Sequence, residues 1–436
     1  MKKILLLFLT LSITILSSSC QLVINNGSDD STIDNNNQVV EEPSNDNSTI
    51  EDFISNEPNE DDTELDNPTE EKENMIKSVK FIRWLTGVNS TTNTYTNWKV
   101  GGTDLGIPYY DSYREKMYFL FGDTFSSINS TSSDWRSQTV GVTTDLDASD
   151  GILFDYFLHD VDGFAKPIID ARHMGDYDKG EVTCIPTGAI AINGVHYVFY
   201  MSVESWADQS TGWRINFCNV AKSTDGENFH KLDSIIWCND TEIARNNAVI
   251  SLDVSNIVLE AHPAPDFLQV FPYYNKEDGY IYLFGLSSGR TSGVKLARVK
   301  PESIENRSDY EYLQADGTWI NGNAGLDKLY KNPDSYIINS KVGELSVIYN
   351  PYLNKYMMGY YTDAKIVVRF SDNLINWSEE YTLATSERYP LLYGCFMNEI
   401  YMEDNGKSVY FFMSQYFQEA LGDNGYNVRV MKVTFE

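Results

Sequence analysis

The chain has 436 residues, a formal net charge of −30, 13% aromatic residues, and only five cysteines and five histidines. It carries no basic stripe, so the phosphate neutralisation that drives binding to nucleic acid or to an anionic lipid surface is missing. The histidines follow no HExxH or related spacing, and no Gly-x-Gly-x-x-Gly or P-loop pattern follows a strand. A His-based metal site and a nucleotide cofactor are therefore not indicated. No cofactor is expected, and a structural calcium is left open.

In chain order, Met1-Lys2-Lys3 is followed by an apolar run from Ile4 to Leu16 and then by Ser17-Ser18-Ser19-Cys20. The run is too short and too N-terminal for a membrane span and reads as an export signal. Small residues directly before a cysteine resemble a bacterial lipoprotein cleavage site. By that resemblance residues 1–19 are the signal peptide and Cys20 is lipidated, with a plain secretory signal as the alternative. The expected location is the cell envelope, as a surface-exposed outer-membrane lipoprotein whose folded part is soluble but tethered. Residues 20–76 are dominated by Asn, Asp, Glu, Ser and Thr and hold roughly half of the negative charge. Such a composition buries too little apolar surface to offset its ordering entropy, so the segment is expected to be a disordered tether.

From residue 77 to the end the pattern is short aromatic strands separated by turn residues. One unit recurs: a strand, a turn with Gly, Asn or Asp, then a Tyr- or Phe-rich strand. It occurs at 104–125, 185–201, 268–285, 345–361 and 396–413, and a third strand follows each copy, at 139–144, 216–223, 293–299, 365–371 and 427–433. Two of these run into Ser-Asp turns followed by an aromatic, at Ser223–Phe229 and Ser371–Trp377, which reads as a hairpin to an outermost strand. Five copies of a four-stranded unit are the sequence signature of a β-propeller. The expected fold is all-β, a five-bladed β-propeller over 77–436. The unmatched strand Ser78–Trp84 supplies the outer strand of the fifth blade and closes the ring, which removes the open edge. A β-sandwich pair is the alternative.

The first unit holds the leading functional candidates. Asp104 stands near the start of its first strand and Asp123 at the end of its second, so both carboxylates should emerge at the same sheet edge. Glycines flank them at 102, 106 and 122, which permits close approach. Two acids held together can divide into an ionised and a protonated partner, as cleavage of a glycosidic bond requires; as strand-end turn residues they would need no such role. The lead-ins of the other blades should converge on the same mouth. They offer Glu181 and Glu204, Asp266 and Gln269, Arg290, Glu344, and Tyr393 and Asn398. Glu181 lies in the acidic run 176–181 and is expected to be solvated. Arg290 either clamps a substrate oxygen or ties a loop to a carboxylate. Trp135, Trp206 and Trp213 lie in long connections, where they can stack on sugar rings or cap blade cores. The four cysteines after Cys20 match no zinc pattern, and their pairing cannot be assigned.

The ordered phrases Gly102-Thr103-Asp104-Leu105-Gly106, Phe121-Gly122-Asp123-Thr124-Phe125, Pro186-Thr187-Gly188, Leu283–Arg290 and Gly343–Val347, with Asn350–Leu353 and Ser371–Leu374, resemble the domain-of-unknown-function family 4185. Members of that family have been grouped as glycoside hydrolase family 183, endo-acting D-arabinanases. The resemblance spans residues 80–436. It implies hydrolysis of α-linked D-arabinofuranose chains of the mycobacterial type, with Asp104, Asp123 and Glu344 as active-site carboxylates. Arg290, Glu204, Trp206, Gln269 and Tyr109 are expected to contact the polysaccharide or oligosaccharide substrate. A monomer is expected. The alternatives are a non-catalytic surface glycan-binding propeller and a hydrolase of another furanoside such as L-arabinan. A sialidase would want a cluster of arginines, and only Arg290 stands out.

Overall fold

A computed structural model describes residues 75–128, 134–176, 178–207, 212–254, 262–332, 334–416 and 425–436. The signal segment, Cys20 and the tether up to residue 74 lie outside the described residues. The first strand, β1 (Ile76–Trp84), begins one residue before the expected domain boundary.

The strands then follow as five antiparallel sheets. Blade one holds β2 (Leu105–Asp111), β3 (Lys116–Phe121), β4 (Thr139–Thr143) and the two-residue β5 (Tyr156–Phe157). Blade two holds β6 (Thr183–Ile192), β7 (Val195–Ser205), β8 (Arg214–Ser223) and β9 (His230–Cys238). Blade three has five strands, β10 (Gln269–Asn275), β11 (Tyr280–Leu286), β12 (Lys295–Val299), β13 (Glu311–Leu313) and β14 (Trp319–Asn321). Blade four is β15 (Leu345–Asn350), β16 (Lys355–Thr362), β17 (Lys365–Ser371) and β18 (Tyr381–Thr385). Blade five is β19 (Leu392–Glu403), β20 (Ser408–Tyr416) and β21 (Tyr426–Phe435), completed by β1. The molecule is a five-bladed β-propeller. Its first strands β2, β6, β10, β15 and β19 pack against one another around the hub.

The ring closes because β1 pairs with β21, from Ile76 opposite Phe435 to Trp84 opposite Arg429. The Arg429 guanidinium lies 4.0 Å from the Trp84 ring centroid and 4.7 Å from that of Phe81. Buried and hydrogen-bonded to Gln415, it joins the first and last strands of the propeller by cation–π attraction as well as by the ladder. The turns in blades two and four share a device. Asp225 Oδ1 accepts the backbone N–H groups of Glu227 and Asn228, and Asn373 Oδ1 those of Ile375 and Asn376. These Asx turns steer the chain from the third strand towards the fourth.

Among the described residues, three α-helices interrupt the strands: α1 (Thr94–Trp98), α2 (Glu242–Ser251) and α3 (Gly322–Lys331). The last two, of ten residues each, escape periodicity analysis because helices so short carry little phase information. α2 begins at an N-cap, Thr241, whose hydroxyl accepts the Ala244 N–H. The four described cysteines are all buried free thiols.

Replacing Trp84 by alanine should destabilise the propeller by about 3–5 kcal/mol, the range for truncating a buried aromatic. Urea unfolding should show a lower midpoint with an unchanged slope; an unaltered midpoint would mean that the β1–β21 seam adds little to stability.

Candidate active site

At one end of the hub lies a cavity of about 640 Å³ lined by residues from all five blades. Asp104, Asp123, Gln269, Arg290, Glu344, Trp206, Trp213, Trp135 and Tyr393 are among its walls, as are Phe125, Tyr416 and Tyr426. The acids expected to converge from blades one and four therefore do meet.

The first pair is positioned by the β2–β3 hairpin. The Gly122 N–H donates to the Asp104 carbonyl at 3.2 Å, which puts the two chain segments side by side. A bulge between Leu105 and Ile107 turns Asp104 towards the hub. Leu105 and Gly106 there have φ of 67° and 72°, and Leu105 is held in that left-handed state by a 2.7 Å bond from its N–H to Ser414 Oγ of blade five. A branched residue at positive φ is uncommon, and such strain recurs where geometry serves a site. Gly122 is required: a Cβ there would stand 2.2 Å from Asp104 Oδ1.

Asp104 Oδ2 accepts a 2.8 Å hydrogen bond from Tyr393. Oδ1 is buried without a well-formed hydrogen bond, and the Tyr426 hydroxyl beside the carboxylate offers partial relief. Burial pushes Asp104 up to about 6; Tyr393 and Tyr426 oppose the shift, the Glu344 charge adds to it and Arg290 opposes it. Asp123 Oδ1 accepts bonds from the Trp135 indole at 2.7 Å and the Thr183 hydroxyl at 3.1 Å. Burial and then the neighbouring Asp104 charge push Asp123 up to about 7, against those two donors. Asp123, beside the Asp104 charge, therefore keeps its proton to higher pH than Asp104 does.

Glu344 is arranged differently. Arg290 grips it by three hydrogen bonds, Nε to both carboxylate oxygens at 3.1 and 3.0 Å and Nη2 to Oε1 at 2.6 Å. The guanidinium also faces the rings of Tyr361, Trp213 and Tyr393 at 4.6, 5.0 and 5.0 Å. Gly343 admits this packing, since a Cβ would stand 3.1 Å from Arg290 Cδ. Burial alone would lower the Arg290 pKa, but the charge and hydrogen bonds of Glu344 raise it. Arg290 thus ties a loop to a carboxylate, one of the two roles open to it from the sequence.

Other expected contacts are placed elsewhere. Tyr109 is buried against Tyr118 and bonds to His196 Nδ1 at 3.0 Å, so it belongs to the seam between blades one and two and lies outside the cavity wall. Glu204 is also outside the wall, buried on β7 with Arg214 Nη1 3.8 Å from its Oε1. Gln269 lines the cavity, but its amide is spent on the Ser287 and Gly289 carbonyls, which fix the loop carrying Arg290. Asp266 pairs with Lys295 at 2.7 Å, and Asn398 contacts the Pro108 carbonyl. Glu181, expected in solvent, is fully buried: it accepts bonds from Ser202 and Ser251 hydroxyls and the Arg172 N–H. Ser202 of β7 and Ser251 of α2 close over it, so local charge density misreads its surroundings. Thr183 and Tyr426 were not identifiable from sequence, being ordinary strand residues aimed inward by blade pairing. Among the described residues, no three His, Cys, Asp or Glu side chains converge as a metal site.

The sequence profile described as "Domain of unknown function (DUF4185)" matches residues 89–432. The chain belongs to this family. It is 28% identical over 336 residues to notoamide biosynthesis cluster protein J of Aspergillus sp. (strain MF297-2), covering 73% of this chain and 80% of that one. The corresponding protein J′ of Aspergillus versicolor is 28% identical over 258 residues, 57% of this chain and 62% of that one. Among solved structures, the chain is similar to a family 117 glycoside hydrolase of Zobellia galactanivorans, with 13% identity, 83% and 91% coverage and a TM-score of 0.44. It is also similar to an exo-β-1,3-galactanase of Phanerochaete chrysosporium, with 10% identity, 82% and 64% coverage and a TM-score of 0.43.

Because Asp123 holds its proton more tightly folded than unfolded, that proton favours the native state at low pH. The contribution is lost as pH rises through about 7. Asp123→Asn removes the cost of ionisation, so its melting temperature should exceed that of the parent chain by more at pH 8 than at pH 5. Equal differences at the two pH values would show that the carboxyl is not held protonated by its site.

Proposed function

We propose that this protein is a glycoside hydrolase that cuts α-linked D-arabinofuranose chains internally, with Asp123 as general acid and Asp104 as general base. The observation that carries this reading is the half-buried Asp104–Asp123 pair in the hub cavity, both carboxyls pushed well above the usual range. Raised and mutually coupled carboxyls are what glycosidic cleavage uses. Resemblance to the endo-D-arabinanase grouping supplies the furanoside, which cavity chemistry alone does not specify.

In the proposed step Asp123 gives its proton to the leaving oxygen as the anomeric C–O bond breaks. Asp104, ionised, takes a proton from the attacking water as the new C–O bond forms. The developing oxocarbenium charge is met by Asp104 and by the Glu344 carboxylate. Both oxygens of Glu344 are engaged by the Arg290 guanidinium, which leaves the acid role to Asp123. The Arg290 charge is likewise committed, so the wall favours neutral sugars over uronates or sialic acid. Trp135, Trp206 and Trp213 give faces for sugar stacking. Lipidation at Cys20 would display the enzyme on the outer membrane, where it would forage on other organisms' glycans.

A second reading rests on a different observation. Much of the cavity wall is apolar (Ile185, Pro186, Val270, Phe271, Leu286), and the curated relatives are named for notoamide biosynthesis. A non-catalytic or non-glycan role would use that wall to hold an apolar ligand.

Product analysis on mycobacterial arabinogalactan beside plant arabinan separates these readings. Short oligosaccharides from the former support the proposal, release from the latter alone moves the substrate to L-arabinan, and no cleavage of any glycan favours the second reading. Asp104→Asn and Asp123→Asn should each lower kcat by about 10³-fold or more, as expected for residues acting in the transition state. The kcat/KM profile should be bell-shaped, falling below about 6 as Asp104 takes up a proton and above about 7 as Asp123 loses its own. Gly122→Ala should cost about 100-fold in kcat by displacing Asp104, the usual penalty for misplacement of about 1 Å. Wild-type turnover in that variant would remove Asp104 from the mechanism.

A further inference from the structure

The two donors to Asp123 both fall on the same oxygen. Trp135 Nε1–H and Thr183 Oγ1–H point at Oδ1, at 2.7 and 3.1 Å, while no described residue bonds Oδ2. An oxygen that already receives two hydrogen bonds acts as the carbonyl of a neutral carboxyl group, which leaves the other oxygen to carry the acidic hydrogen. Indole nitrogen can only donate, so a proton on Oδ1 could not be given to Trp135 and would leave the poorer acceptor, a hydroxyl oxygen, facing the indole N–H. The Thr183 hydroxyl could turn round and accept, which makes Trp135 the stricter of the two.

We propose that Trp135 and Thr183 are positioning residues that confine the transferable proton of Asp123 to Oδ2. The inference rests on the hydrolase reading for its use, though not for its test. It also gives the buried Glu181 a purpose. Thr183 starts β6 two residues beyond Glu181, and Trp135 is met edge-on by the His173 ring at 4.4 Å. His173 sits between Arg172 and Met174, whose N–H groups donate to the Glu181 carboxylate and carbonyl respectively. One internal carboxylate, fixed by Ser202 and Ser251, therefore anchors the supports of both donors.

A residue that only walls the cavity would affect binding or folding at every pH alike. A proton-directing residue changes the ionisation of Asp123 as well. Trp135→Phe keeps an aromatic ring and Thr183→Val keeps the shape, and each removes one donor to the ionised form. The basic limb of the pH profile should move up by about half a unit or more, and kcat near pH 6.5 should fall about tenfold with KM changed less than about threefold. Thr183→Ser should restore the parent profile. In parallel, 13C-carboxyl NMR on aspartate-labelled protein, with the Asp123 signal assigned by its absence in Asp123→Asn, should show the same upward shift without any substrate. An unmoved Asp123 titration in Trp135→Phe and Thr183→Val overturns the inference, whatever happens to turnover. If Trp135→Phe does not fold, the Thr183→Val and Thr183→Ser pair decides it. If the parent enzyme cuts no glycan while the titration shifts as expected, the hydrolase reading fails and the proton placement stands.

Discussion

Asp104 and Asp123 are neighbours because a backbone hydrogen bond, Gly122 N–H to Asp104 C=O, zips the open end of one hairpin. That contact brings two carboxyls into one hollow, where burial resists the ionisation of both. Much of the surrounding architecture follows from accommodating it. Tyr393 comes from blade five, Trp135 from the blade-one connection and Thr183 from blade two, each offering a donor that partly offsets the burial. The Glu344–Arg290 pair stands beyond them, a self-compensated charge couple that adds its field without adding net charge.

The arrangement is costly to the fold. Two carboxyls sit above their solution range, Asp104 Oδ1 lacks a good partner, and Leu105 is held at positive φ by a serine hydroxyl about three hundred residues away in the chain. A propeller tolerates this because the cost falls at the hub, where five first strands pack together and no one blade must bear it. The outer strands are free of such demands, which is consistent with their varied form: two residues in β5, an added strand in blade three, and β1 borrowed from the other end of the chain.

What was legible in the sequence follows the range of the interactions involved. The blade pattern and the closing strand are written in local alternation and turns, and the third strands appear where aromatic spacing placed them. The Asp pair was legible because a hairpin is a local object. Glu344 and Arg290 could be named as hub residues, whereas their mutual grip could not, since it depends on how blades three and four turn against each other. Thr183 and Tyr426 carry no sequence signal: a threonine opening a strand and a tyrosine in an aromatic-rich one are ordinary until the ring aims them. Tyr109 and Glu204 show the opposite failure, side chains of suitable chemistry on suitable strands that point into a seam. Glu181 was misread because six residues of acidic loop say nothing about what folds over them.

The way the ring is fastened has a mechanical corollary. The β1–β21 ladder starts at Ile76 opposite Phe435, so any load arriving from the N-terminal side enters at the end of a row of hydrogen bonds. A pull across the ladder would break those bonds in succession, whereas a pull along the strands would strain them together. The seam that completes the hub is thus also the seam first exposed to traction. The Arg429 guanidinium between Trp84 and Phe81 sits at the far end of that row, where peeling would have to stop for the ring to remain whole.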